Sequence, residues 1–274
     1  MTTMTLQLDA RQRAMLQEMG VQVWLPGTAF ATVPADTPAE VAAAVAQAPA
    51  RTAASHVPAA LQEAAARQEL PVRVQAVNAA ALDWSELTDT VAACQACGLC
   101  AGRKSTTLLA PTVQQQDWMV VGDPPDEDED RAGQPFVQAS GVLLDNMLKA
   151  VGASRNGAGA AGVYVTNVVK CRPPSGRIPQ AAELAQCAGY LQREIALVQP
   201  KMIVAMGRFA NQVLLSGHPE LAAQPLGKLR GTVYQYQGVP VVVTYAPKVL
   251  LRAPVDKGKA WADLCLAMDT LESL

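Results

Sequence analysis

Four cysteines carry the strongest chemical signal in this chain: Cys94-x-x-Cys97, and then, far downstream, Cys171 and Cys187. A Cys-x-x-Cys pair on a turn lets two thiolates reach one metal centre, and two more thiolates close a four-sulfur site. Zinc and a 4Fe–4S cluster both satisfy that count, and spacing alone does not choose between them. Cys100 is a spare thiol or an alternative third ligand, and Cys265, in a terminal helix pattern, reads as core. The start of the chain lacks a basic segment followed by an apolar run, so a cytoplasmic location is expected. Six cysteines there point to metal ligands or buried thiols rather than disulfides.

The elements that must position these residues lie in the last two thirds of the chain. Short β-like runs fall at Trp118–Val121, Val163–Val169, Met202–Met206 and Val241–Tyr245. Helical patterns lie between and after them, at Val142–Val151, Gln180–Val198, Arg208–Leu215 and Lys259–Leu274. Strands alternating with helices predict parallel pairing and a three-layer α/β domain. Ligands in such sheets bind beyond the carboxyl ends of the strands. The segments that matter are therefore GDPPD after the first run, NVVKCRPP after the second and APKVLLR after the last. With 274 residues, half of them hydrophobic, a sizeable core can form, filled mainly by aliphatic side chains because aromatics are only 4%. The net charge of −2 gives no global attraction to nucleic acid, so any DNA contact needs a local basic patch.

The stretch CQACGLCAGRK resembles the entrance motif of the iron–sulfur (family 4 type) uracil-DNA glycosylases. The runs YVTNVVKCRPPSGRIP and CAGYLQREIALVQPKMIVAMG are similar to that family's central block. From about Ala80 to the C-terminus (80–274) the chain is identified as a member of that family. The resemblance implies a three-layer αβα domain with a four-stranded parallel sheet, and a 4Fe–4S cluster held by Cys94, Cys97, Cys171 and Cys187. It implies hydrolysis of the bond between a flipped uracil and its deoxyribose, in base-excision repair of single- or double-stranded DNA. Gly122 opens the first motif, Asn167 matches the residue that pairs with the uracil edge, and Phe136 matches the aromatic that stacks on the base.

Two motifs depart from the family. Its first motif, G-E-x-P-G, reads Gly122-Asp123-Pro124-Pro125-Asp126 here. Asp123 keeps a catalytic carboxylate on a shorter arm, Pro124 removes a backbone N–H, and Asp126 replaces a residue able to adopt positive φ. The following Glu127, Asp128, Glu129 and Asp130 extend an acidic run expected to repel phosphate. The last motif, H-P-x-x-L-L-R, reads Ala246-Pro247-Lys248-Val249-Leu250-Leu251-Arg252, so the His that stabilises the leaving anion is lost. One such donor is worth about 10²–10³ in rate. His56 and His218 are not placed to substitute, whereas Lys248 supplies a nearby positive charge. Weak or absent excision is the expectation. Phosphate contacts are expected from Lys170, Arg172, Lys248 and Arg252, with Arg177, Lys228 and Arg230 nearby.

Ahead of this domain, residues 1–26 form a short helix pattern and an apolar strip, and 27–79 an Ala/Pro-rich linker. LQEMGVQVWLPG resembles the N-terminal peptide of the psi subunit of the bacterial DNA polymerase III clamp loader. That resemblance implies an alternative, non-catalytic role in replication, with Leu16, Met19, Val21, Val23 and Trp24 as the docking strip for clamp-loader subunits.

Overall fold

The computed structural model describes residues 79–113 and 115–274. The N-terminal arm with Leu16, Met19, Val23 and Trp24, and the linker as far as residue 78, lie outside the described residues. None of the described helices is long and apolar enough to cross a membrane.

The domain opens with helix α1 (Trp84–Ala93), capped by a reciprocal Asp83–Glu86 box. Strand β1 (Gln116–Gly122) follows, then the short helix α2 (Glu127–Ala132), α3 (Gln138–Ala150) and β2 (Gly159–Asn167). Next come α4 (Ala181–Val198), β3 (Met202–Met206) and the short helices α5 (Arg208–Leu214), α6 (Pro219–Ala222) and α7 (Leu226–Leu229). The chain ends with β4 (Val233–Tyr236), β5 (Val239–Thr244), α8 (Pro247–Arg252) and α9 (Lys257–Glu272). The strand order is β2-β1-β3-β5-β4.

Four strands are parallel, as expected, but β4 pairs antiparallel with β5, so the sheet is mixed and five-stranded rather than four-stranded. The fifth strand comes from a two-residue hairpin turn. Gln237 and Gly238 both have positive φ, 50° and 85°, the conformation that matches the twist of the flanking strands.

Strand period 2 sorts the core into two faces. Met119, Val121, Ile203, Ala205, Val241 and Val243 pack with Leu87 and Val91 of α1, Leu191 and Ile195 of α4, and Leu214 of α5. Trp118, Val120, Met202, Val204 and Val242 pack on the other face with Leu144 and Met147 of α3, and Trp261 and Leu264 of α9. The result is the expected three-layer αβα domain. β1 is central: the chain leaves it for β2 on one side and later returns to β3 on the other. The gap at the carboxyl end of β1 is therefore the switch point where such sheets bind ligands. Gly122 ends β1 there, in register with Asn167 of β2 and Met206 of β3.

Candidate active site

A cleft opens at this switch point, lined by Asp123, Asp126, Glu129, Phe136, Ser140, Asn167, Ala246 and Lys248. The expected base-reading pair is brought together in it. The Asn167 side-chain amide donates to the Asp123 carbonyl at 2.9 Å and to Glu129 Oε1 at 3.3 Å. Its Oδ1 is buried without a hydrogen-bond partner. Phe136, also buried, has φ of 51°, a strained conformation for a non-glycine residue. Two side chains hold it there. Glu129 Oε1 accepts the Phe136 N–H at 2.6 Å, and the Arg155 guanidinium donates to the Phe136 carbonyl at 3.1 Å.

Gly122 is required by this ring. A Cβ on Gly122 would stand 2.5 Å from Phe136 Cζ and 2.7 Å from Cε2. Gly122→Ala is therefore expected to displace the ring and cost about 1–3 kcal/mol through overpacking, read as a lowered urea midpoint. An unchanged midpoint would mean the ring moves aside freely.

The two carboxylates differ in their engagement. Asp123 Oδ1 accepts N–H donors from Phe209 at 2.7 Å and Ala210 at 3.4 Å, which ties it to the start of α5. Burial raises its pKa, opposed by the Phe209 N–H and the Lys248 charge. Glu129 was not singled out by sequence, where it read as one more charge in an acidic run. It is buried, with its pKa raised by burial against the N–H groups of Asp126 and Phe136 and the charge of Lys248. The signal that finds it is the spacing Asp126-x-x-Glu129, a capping box. Asp126 accepts from the Glu129 N–H at 3.1 Å and Glu129 accepts from the Asp126 N–H at 2.9 Å.

This geometry corrects two expectations about the loop. Asp126 has φ of −90°, so no glycine is needed there. Glu129 and Asp130 face inward, so the acidic run is not a continuous repulsive surface.

Ala246 is buried at the N-cap of α8 and offers the cleft no side-chain donor. His218 is exposed beside Glu220 and is not among the residues lining the cleft; His56 lies outside the described residues.

The expected phosphate contacts divide. Lys170 is only 1% exposed: its ammonium donates to Thr166 Oγ1 and the Asn167 carbonyl, both at 2.7 Å, and pairs with Glu194. It is a core residue, not a phosphate ligand, because α4 supplies a buried carboxylate opposite it. Arg230 is likewise committed, in a two-pronged pair with Asp263. Arg177 pairs with Glu183 on α4. Arg172 donates to Glu127 at 3.2 Å and lies with Lys248 along a wider groove that runs from Pro124 and Pro125 to Pro173 and Pro179. Arg252 and Lys228 are exposed.

The four thiols expected to bind metal come from separate elements: Cys94 ends α1, Cys97 opens a short 3-10 turn, Cys171 follows β2, and Cys187 lies on α4. The structure gathers them. Burial pushes Cys97 up to about 11, with Cys171 and Cys94 adding to the rise, and Cys187 up to about 12, with Cys171 and Cys97 adding. Arg103 donates to Cys171 Sγ at 3.2 Å and to the Cys94 carbonyl at 2.8 Å. Burial also raises Cys171, opposed by Arg103; Cys94 and Cys100 add to the rise. Cys265 packs against the opposite face of the sheet, as a core residue should. Among the described residues, no group of three or more His, Cys, Asp or Glu is arranged to hold a single metal ion.

A cleft at the switch point of the sheet, lined by the Asn167 amide and the Phe136 ring, places the chain among α/β domains that bind ligands at the carboxyl ends of their strands. Comparison with known proteins narrows that class. Residues 111–265 match the uracil DNA glycosylase superfamily, and the chain belongs to it. It is 36% identical over 174 residues to the type-4 uracil-DNA glycosylase of Archaeoglobus fulgidus, covering 61% of this chain and 84% of that protein. It is 35% identical over 192 residues to the type-4 enzyme of Pyrobaculum aerophilum, covering 68% and 93%. The type-4 enzyme of Thermotoga maritima is 34% identical over 167 residues, covering 61% and 82%. The clamp-loader resemblance gains no support from these comparisons.

Proposed function

We propose that this domain binds a uracil flipped out of DNA and hydrolyses its N-glycosidic bond slowly, as an iron–sulfur member of its superfamily. The observation that carries this reading is the unpartnered, buried Oδ1 of Asn167 beside the Phe136 ring. An orphan acceptor costs about 1–3 kcal/mol, and the N3–H of uracil repays it. Cytosine has a bare ring nitrogen at that place and would leave the oxygen unpaired. The Phe136 ring supplies a stacking face, worth about 1–3 kcal/mol per base.

Asp123 and Glu129 are the polar groups available to orient water towards the sugar. Negative charge develops on the departing uracil, and Ala246 has nothing to offer it. Lys248 is the cation lining the cleft, and its field on both carboxylates supports a role in balancing that charge. Arg172 and Arg252 are suited to hold flanking phosphates.

Cys94, Cys97, Cys171 and Cys187 suit a 4Fe–4S cluster. They are four thiols in mutual electrostatic contact, with the Arg103 guanidinium and the Lys170 backbone N–H donating to sulfurs, as anionic ligands require. When bound, the cluster supplies a covalent cross-link that fastens the segment after α1 to the loop after β2 and to α4.

The test is single-turnover release of uracil from a single-stranded oligonucleotide by excess protein. Slow release is expected from the natural sequence. Ala246→His should accelerate it at least tenfold, towards the roughly 10²–10³ that one such donor is worth. No release by either protein, with both folded, would overturn the proposal.

A further inference from the structure

Lys248 differs from the other basic residues around the site. Lys170, Arg172, Arg177 and Arg230 each have a carboxylate partner. Among the described residues Lys248 forms no salt bridge within 4 Å, yet it lines both the base cleft and the groove that leads into it. It stands two residues after Ala246, on the first turn of α8, half-buried, with the carboxylates of Asp123 and Glu129 across the cleft. The cleft thus has no side-chain donor at Ala246 and holds, two residues on, a primary amine without a carboxylate partner.

We infer that Lys248 is a nucleophile towards C1′ of an abasic deoxyribose, giving the protein a strand-cleaving lyase activity on abasic sites. The inference rests on the reading of the cleft as a flipped-nucleotide site, but not on uracil excision.

The step balances with the groups present. An abasic sugar opens to an aldehyde at C1′. Lys248 passes its ammonium proton by way of water to Asp123 or Glu129, the carboxylates that line the cleft with it. The neutral amine adds to C1′, the carboxyl returns that proton to the new hydroxyl, and water leaves, so that a protonated imine joins Nζ to C1′. A carboxylate then takes a C2′ proton, the electron pair shifts towards the imine, and the 3′ phosphate ester departs with its bonding electrons. Water hydrolyses the remaining imine and returns the lysine. No oxidant, reductant or further co-reactant is consumed.

Borohydride trapping tests this directly. The full chain is incubated with a single-stranded oligonucleotide bearing one pre-formed natural abasic site, with sodium borohydride added to reduce any imine. A covalent protein–DNA adduct is expected, with strand cleavage 3′ to the site when borohydride is omitted. Lys248→Met and Lys248→Arg should each lower the adduct at least tenfold. The arginine variant keeps the positive charge, so its loss of trapping separates nucleophilicity from electrostatics or folding. Lys201→Met, a control at the amino end of β3 and so at the other end of the sheet from the cleft, should trap as well as the natural protein. No adduct, or an adduct undiminished in both Lys248 variants, overturns the inference. Because the abasic strand bypasses excision, failure to release uracil in the separate assay would leave this result interpretable.

Discussion

Replacing Lys170 with methionine is expected to cost the domain about 3–5 kcal/mol of stability, read by urea unfolding at neutral pH. Lys170 and Glu194 are both buried, at 1% and 0% exposure, and form an ion pair with each other. Glu194 Oε1 accepts the hydroxyls of Tyr164 and Thr166 at 2.8 Å, while Lys170 faces Thr166, Asn167 and Glu194 itself. Burial and the neighbouring Glu194 raise the Tyr164 pKa far above the usual phenol range, which keeps its hydroxyl a donor. Methionine removes the only cation in this group and leaves an uncompensated carboxylate in the core. A second change, Glu194→Leu, should recover much of the loss, since an apolar pair of similar volume often replaces a buried ion pair at little cost. The Lys170→Met protein should also bind a uracil-containing strand more weakly, because the ammonium holds the Asn167 carbonyl. A single substitution costing under about 1 kcal/mol, the level of an exposed ion pair, would mean that Glu194 is relieved some other way.

Removal of the Cys187 sulfur should have the largest effect on cofactor content. Cys187→Ala is expected to bring iron and acid-labile sulfide close to zero in anaerobically purified protein, and to speed proteolysis between Cys94 and Arg103. The thiol is buried on α4 and is the least exposed of the four proposed ligands. Binding a metal cluster there displaces protons held at about 11 and 12 on Cys97 and Cys187, so cluster affinity is also folding energy for these loops. Cys265→Ala, on the opposite face of the sheet, should keep its full iron content. Iron retained by Cys187→Ala would remove that residue from the ligand set and direct attention to Cys100.

Much of the domain was legible in the sequence because its strands are near-continuous apolar runs and its longer helices carry a clear apolar face. The sheet centre, β1 and β3, is buried along its whole length, which makes such runs unambiguous. β4 was missed because VYQY is an edge strand, with alternating exposed and half-buried residues and no apolar run. α2 was missed because EDEDRA has no apolar periodicity; its capping box and the burial of Glu129 and Asp130 fix it instead. Asn167 and Phe136 were readable as residues of the cleft, and the four thiols as residues from distant segments that the fold brings near one another. The role of Lys170 was not, because a lysine beside a cysteine motif looks like a phosphate ligand until Glu194 is seen to pack across from it. Burial is set by partners distant in sequence, and local pattern does not report it.

Glu129 bonds to the Phe136 backbone and to the Asn167 side chain through the same oxygen, so the ring and the amide of the cleft share one anchor. Neither hydrogen bond involves α8, which carries Ala246 and Lys248. The hydrogen bonds that fix the ring and the amide thus lie on a different part of the chain from Ala246 and Lys248. Substitution at Ala246 or Lys248 therefore removes none of the hydrogen bonds of that anchor. A lineage built this way is free to pass from excising a base to guarding or processing the site it leaves.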